Sequence, residues 1–178
     1  VDIYNVASLI ISGAPSSTLF DCSRRLQPTT RGAAFTISNS SVTFTGITFQ
    51  HCYNTNSSGG AVSAVDSSVT VSNCSFVNCS AANGGAVAAS GRGGDLFLDV
   101  RNSSFTRNAA IGGDIGCPLQ SSEPCSTWGG AVAAFEIRNI RVSGCKMVEN
   151  SAVAVVPAGS SQYNASRNAV AGGGCVSV

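Results

Sequence analysis

Charge is what this chain has least of. Asp, Glu, Lys and Arg make up 11% of its 178 residues, against roughly 25% in an average soluble domain. The formal net charge is +1. No basic or acidic run stands out, so neither nucleic acid nor an anionic membrane surface is an expected partner. Aromatics are sparse at 7%, with one Trp and one Met. Apolar runs stay well short of the ~18 residues that span a bilayer. With one His (His51) and no C-x-x-C, a zinc site of ordinary type is not expected, and neither is any other cofactor. An initiator Met and a leader are missing too. The chain starts at Val1, which suggests a processed product or a piece of something longer.

Gly, Ser, Thr, Val and Ala take the place of charge, and they repeat. Five segments align: Leu9-Ile10-Ile11-Ser12-Gly13, Val42-Thr43-Phe44-Thr45-Gly46, Val69-Thr70-Val71-Ser72-Asn73, Leu98-Asp99-Val100-Arg101-Asn102 and Ile140-Arg141-Val142-Ser143-Gly144. Their first and third columns are apolar and those between are mostly polar, the period-2 mark of a strand with one buried face. The fifth column holds only Gly or Asn, the residues that most readily accept positive φ. A left-handed bend is therefore expected after each strand.

Four segments continue alike. A large apolar residue follows three positions on (Phe49, Phe76, Phe105, Met147), then Cys52, Cys79, Asn108 or Asn150. After a variable loop come Gly59-Gly60-Ala61-Val62, Gly84-Gly85-Ala86-Val87, Gly129-Gly130-Ala131-Val132 and Gly173-Gly174-Cys175-Val176, with Gly32-Ala33-Ala34-Phe35 as a looser first copy. A minimum period of about 25 to 29 residues suits one turn of an all-β solenoid, a single-stranded parallel β-helix with three short strands and three bends per turn. About five rungs are expected in a single domain, 1–178, each strand pairing with its equivalent ~4.8 Å away. A helical solenoid fails on the period of 2 and on the recurrent Gly and β-branched residues. The register places Asp99 beside Arg141 and Arg107 beside Glu149, two favourable cross-strand pairs.

Gly-Gly-Ala-Val followed by Phe-x-x-Asn (Phe105-Thr106-Arg107-Asn108) resembles the GGA(I/L/V) and FxxN repeats of the chlamydial polymorphic outer-membrane proteins. More broadly it is similar to the right-handed parallel β-helix of pectin-lyase-like proteins. The resemblance runs from about Leu9 to Val178, and it departs at Cys52, Cys79 and Met147. It implies a right-handed helix, and a family in which surface adhesins stand beside polysaccharide lyases and hydrolases.

Two insertions, at about 109–128 and 151–172, fall between Phe-x-x-Asn and the next Gly-Gly. They should leave the same corner as one lateral lobe. Eight Cys are compatible with disulfides in an oxidising compartment. The candidates are Cys117 with Cys125, bracketing two Pro in the first insertion, and Cys52 with Cys79, stacked in register as a bridge or as two buried thiols. Sequons occur at Asn39, Asn56, Asn73, Asn78, Asn102 and Asn164. Each Asn carries a glycan or is present for its positive φ.

These readings point to a secreted or cell-surface structural or adhesive protein, glycosylated, whose copies stack end to end through unpaired edges as a filament or stalk. The alternative is a polysaccharide-binding or polysaccharide-cleaving protein. For binding, Trp128 is the candidate to stack on a sugar ring. For cleavage, acids should cluster on one face, yet the rung alignment stacks no two of them. No catalytic residue is therefore assigned.

Overall fold

The computed structural model describes residues 1–14, 18–23, 32–91, 95–112, 126–154, 170–172 and 176–177. The chain makes repeated passes through the same set of sheets. The first pass is β1 (Asp2–Tyr4), β2 (Leu9–Ser12) and β3 (Leu19–Asp21). The second runs β4 (Phe35–Ser38), β5 (Ser41–Thr45), β6 (Thr48–Gln50) and β7 (Tyr53–Ser58). The third is β8 (Val62–Val65), β9 (Ser68–Ser72), β10 (Ser75–Val77) and β11 (Ser80–Asn83). The fourth adds a strand: β12 (Val87–Ser90), β13 (Phe97–Arg101), β14 (Ser104–Thr106), β15 (Ala109–Gly112) and β16 (Ser126–Trp128). The fifth has β17 (Val132–Phe135), β18 (Asn139–Ser143), β19 (Lys146–Val148), β20 (Ser151–Ala154) and β21 (Val170–Gly172), after which β22 (Val176–Ser177) returns to the start.

Each sheet collects one strand from each pass. Sheet A is β1-β4-β8-β12-β17-β22, sheet B is β2-β5-β9-β13-β18, sheet C is β3-β6-β10-β14-β19 and sheet D is β7-β11-β15-β20, with a short sheet E of β16-β21. Among the described residues there is no helix, and every strand pairing is parallel. The protein is all-β with parallel sheets. A full pass crosses four sheets, not three as the repeat length suggested. The extra strand is the stretch after Cys52, Cys79, Asn108 and Asn150, too varied in sequence to align as a strand.

The aligned columns stack as read. Leu9 pairs with Val42, Val42 with Val69, Val69 with Leu98, and Leu98 with Ile140. Phe76 lies between Phe49 and Phe105, its ring 5.0 Å from the first and 4.8 Å from the second, within 9° of parallel. That separation is the strand spacing itself. The column also reaches back to Phe20. Phe35 of sheet A meets Phe20 and Phe49 of sheet C and Phe44 of sheet B at centroid distances of 5.1–6.0 Å. The core is therefore narrow enough to be crossed by side chains from facing sheets. Burying each Phe fully adds roughly 1.5–3 kcal/mol.

Most corners between sheets A and B, B and C, and C and D open on the same two-residue pattern. The first residue takes positive φ: Asn5, Asn39, Asp66 and Glu136 between A and B; Gly46, Asn73, Asn102 and Gly144 between B and C; His51, Asn78, Arg107 and Glu149 between C and D. Gly13 was expected to bend this way and does not. The second residue turns inward and is often Ser, Cys or Asn, because a corner leaves backbone groups unpaired. Ser40 Oγ donates to the Ser38 carbonyl (2.8 Å) and accepts the Val6 N–H (2.9 Å). Ser103 Oγ does the same for the Arg101 carbonyl (2.8 Å) and the Cys74 N–H (3.1 Å).

The Gly-Gly motif is a steric requirement. Gly59, Gly84 and Gly129 hold positive φ, and any Cβ there would lie on the carbonyl three residues ahead. Gly60 and Gly85 stack on Gly85 and Gly130 of the next pass, whose carbonyl oxygens fill the space a Cβ would need.

Both expected insertions begin and end as strands. Residues 109–112 and 151–154 extend sheet D as β15 and β20, and β16 and β21 pair in register at the two exits. Residues 113–125 and 155–169, with Asp114, Cys117, Glu123, Cys125 and Asn164, lie outside the described residues.

Candidate functional site

Among the described residues three features carry chemistry: the sequon corners, a groove beside them, and a cysteine-lined corner that belongs to the core. Asn39, Asn73 and Asn102 are exposed and Asn78 is half-buried. All four hold positive φ of 48–51°. Their neighbours in the same columns are Asn5, Asp66, Gly46, Gly144, His51, Arg107 and Glu149. The position thus selects for left-handed backbone, and Asn meets that need at little strain. The Ser of each sequon opens the next strand, so a corner Asn beside a Ser-rich strand start generates N-x-S repeatedly. Asn56 lies on β7, its side chain outside the described residues.

An open groove of about 510 Å³ runs along the B–C corner. Buried Ile47, Cys74 and Ser103 lie beneath it, with exposed Asn73, Asn102 and Lys146 along its sides. Ser75 and Ser104 hydroxyls, also lining it, bond to each other at 3.0 Å. The groove is thus edged by amides, hydroxyls and one ammonium, repeated at the strand spacing.

At the C–D corner the structure corrects the expected bridge. Cys52 is joined to Cys22, with Cα atoms 4.9 Å apart, and not to Cys79. Cys79 is a fully buried free thiol, and burial pushes it up to about 12. A signal was there: Leu19-Phe20-Asp21 alternates like Thr48-Phe49-Gln50, and aligning Phe20 with the Phe column sets Cys22 near Cys52. The next two passes put Asn where these have Cys. Asn108 Oδ1 accepts the Cys79 N–H (3.0 Å) and its Nδ2 donates to the Phe76 carbonyl (3.1 Å). Asn150 repeats this, accepting the Asn108 N–H (3.0 Å) and donating to the Phe105 carbonyl (3.0 Å).

The acids are mostly tied to neighbours. Glu149 accepts from Arg107 at 2.8 Å, as the register implied. Asp99 does lie beside Arg141, but its carboxylate is held by Arg101, two residues along the same strand face (Nε–Oδ1 2.7 Å). That hydrogen bond is the main cause that lowers Asp99; desolvation opposes it, and the charges of Arg101 and Arg141 add smaller lowering contributions. Asp21 is held well below the usual carboxylate range, chiefly by the Ser23 N–H, with Gln50 and His51 adding smaller contributions. Among the described residues no three His, Cys, Asp or Glu side chains are grouped to hold a metal ion. No described helix is long and apolar enough to cross a membrane. Trp128 is on β16 with its backbone paired to Gly172; its side chain lies outside the described residues.

No family model, no curated protein and no solved structure matches this chain.

Proposed function

We propose that the chain is a segment of a right-handed parallel β-helix serving outside the cell as a structural or adhesive element. The observation that carries this reading is the continuous like-on-like register of sheets B and C, from Leu9 to Ile140 and from Phe20 to Met147. A rod held by repeated backbone ladders and a continuous apolar interior is stiff and offers proteases few loose segments. Right-handedness follows from the rule that crossovers between parallel strands of one sheet take that hand in about 98% of cases. The Cys22–Cys52 bridge favours an oxidising compartment. In this reading Asn39, Asn73 and Asn102 carry N-linked glycans on exposed corners. Copies associate axially in this reading, through β2 and β3 on one side and β18 and β19 on the other, the edge strands of sheets B and C among the described residues.

Negative-stain electron microscopy of native material, with mass spectrometry of its peptides, tests this directly. Rods or fibres carrying sugar on corner asparagines are the expected result. Discrete short particles without glycans, or turnover of uronate polymers by the purified chain, would overturn it.

The B–C groove favours a second reading, polysaccharide binding, since amides and hydroxyls at a regular spacing suit a saccharide chain. Titration with glycans decides it: saturable binding lost in Asn102→Ala and Lys146→Ala supports the groove. A quench of Trp128 fluorescence that survives both substitutions would move the contact to the sheet E side.

A further inference from the structure

Three cysteines meet in consecutive passes at the C–D corner, and only two are bonded. Cys22 lies on one side of Cys52, its N–H bonded to the Gln50 carbonyl at 3.0 Å. Cys79 lies on the other, directly in register with Cys52. The Ser80 N–H donates to the Cys52 carbonyl at 2.9 Å, and Ser80 pairs with Tyr53. Neighbouring strands are about 4.8 Å apart, within the ~4.4–6.8 Å between Cα atoms that a disulfide accepts. The existing bridge spans 4.9 Å, so Cys52 has two partners at nearly equal reach. The Cys79 side chain leans toward the Cys52 pass, its Sγ 3.9 Å from the Phe49 carbonyl oxygen.

We propose that Cys79 is the resident exchange thiol of the Cys22–Cys52 bridge, and that the position of the bridge latches or releases the first pass. In the exchange Cys79 gives its proton to water and attacks Cys52 Sγ as a thiolate. The Cys22–Cys52 bond breaks as Cys52–Cys79 forms, and Cys22 leaves as a thiolate that takes up a proton. One disulfide and one thiol are present before and after, so no oxidant or reductant is needed. The crosslink moves one pass inward. Segment 18–23 then loses its covalent tie and is held by its ladder to β6, the Phe20 ring contacts and the Asp21–His51 pair. Cys79 is packed between Cys52 and the Asn108 side chain and is closed to solvent, so exchange waits on local opening of the first pass.

Free-thiol alkylation under acid quench, followed by peptide mapping of the intact oxidised chain, tests this. Freshly folded protein should yield the Cys22–Cys52 peptide with Cys79 alkylated. Incubation in denaturant below the unfolding midpoint should build up a second form, Cys52–Cys79 with Cys22 alkylated, and Cys79→Ser should abolish it. Cys22→Ser, refolded in air, should form Cys52–Cys79 outright. Persistence of Cys22–Cys52 alone through the incubation, or Cys52 joined to any other cysteine, would overturn the proposal. So would a folded Cys22→Ser chain that keeps both Cys52 and Cys79 as thiols. If that variant does not fold, the time course of the parent chain decides alone.

Discussion

At the scale of single residues, the inward corner positions matter more than their small size suggests. Asn108 is fully buried and satisfies two backbone groups of the pass before, the Cys79 N–H and the Phe76 carbonyl. Asn108→Ala leaves the Cys79 N–H unpaired and removes one of the bonds to the Phe76 carbonyl, which stays in the β10–β14 ladder. Since a buried orphan costs about 1–3 kcal/mol, the variant should lose about 1–3 kcal/mol in urea denaturation with an unchanged m-value. A loss under 0.5 kcal/mol would mean water takes over both bonds. Asp99 supplies a pH dependence. Its folded pKa lies below its unfolded value, so its contribution is present above about pH 4 and is lost as pH falls through the folded pKa. Asp21, lowered likewise, acts with the same sign. Thermal melts should therefore show melting temperature falling below about pH 4. The Asp99→Asn variant should fall less steeply there, and an identical slope would remove Asp99 from the account.

At the scale of elements, strand and corner are specified by different rules. Strands need only alternation, which is why Phe44 can sit over Val71, and Phe105 over Met147, without loss of register. Corners need particular backbone, and the Gly-Gly corner is the strictest of them. At Gly85 an added Cβ would collide with the Gly130 carbonyl and lie 2.6 Å from Ala109 backbone atoms, whereas at Gly32 it would meet nothing within 4 Å. Gly85→Ala should therefore destabilise by about 2–4 kcal/mol, as overpacking against fixed backbone does. Gly32→Ala should stay within about 0.5 kcal/mol of the parent. Comparable losses in both would show that the corner deforms and that the stacking is looser than the geometry implies.

At the scale of the molecule, each pass touches mainly its neighbours, so stability is a sum of local terms and is not shared evenly. Val69, Val71, Leu98 and Val100 are completely covered, while Leu9, Ile11, Ile140 and Val142 are half-covered. Hydrogen exchange should be slowest in β9 and β13 and faster in β2 and β18. Reducing the disulfide should speed exchange at β3 and β6 while leaving β13 unchanged. A single uniform exchange rate across all sheets would contradict this picture.

Much of this was written in the repeat. Alternation at Val69-Thr70-Val71, the Gly or Asn after each strand, and the Phe column set which residues face inward and which lie over one another, because a period of 2 leaves no freedom once one face is buried. The same alignment anticipated the Arg107–Glu149 pair. It did not reveal the fourth sheet, because β7, β11, β15 and β20 carry little shared chemistry and are held straight by their neighbours' ladders. Nor did it determine which cysteine Cys52 bonds or which arginine holds Asp99. In both cases two partners stand at similar spacing, and the choice rests on side-chain direction, which only the packed corner and the twisted strand supply.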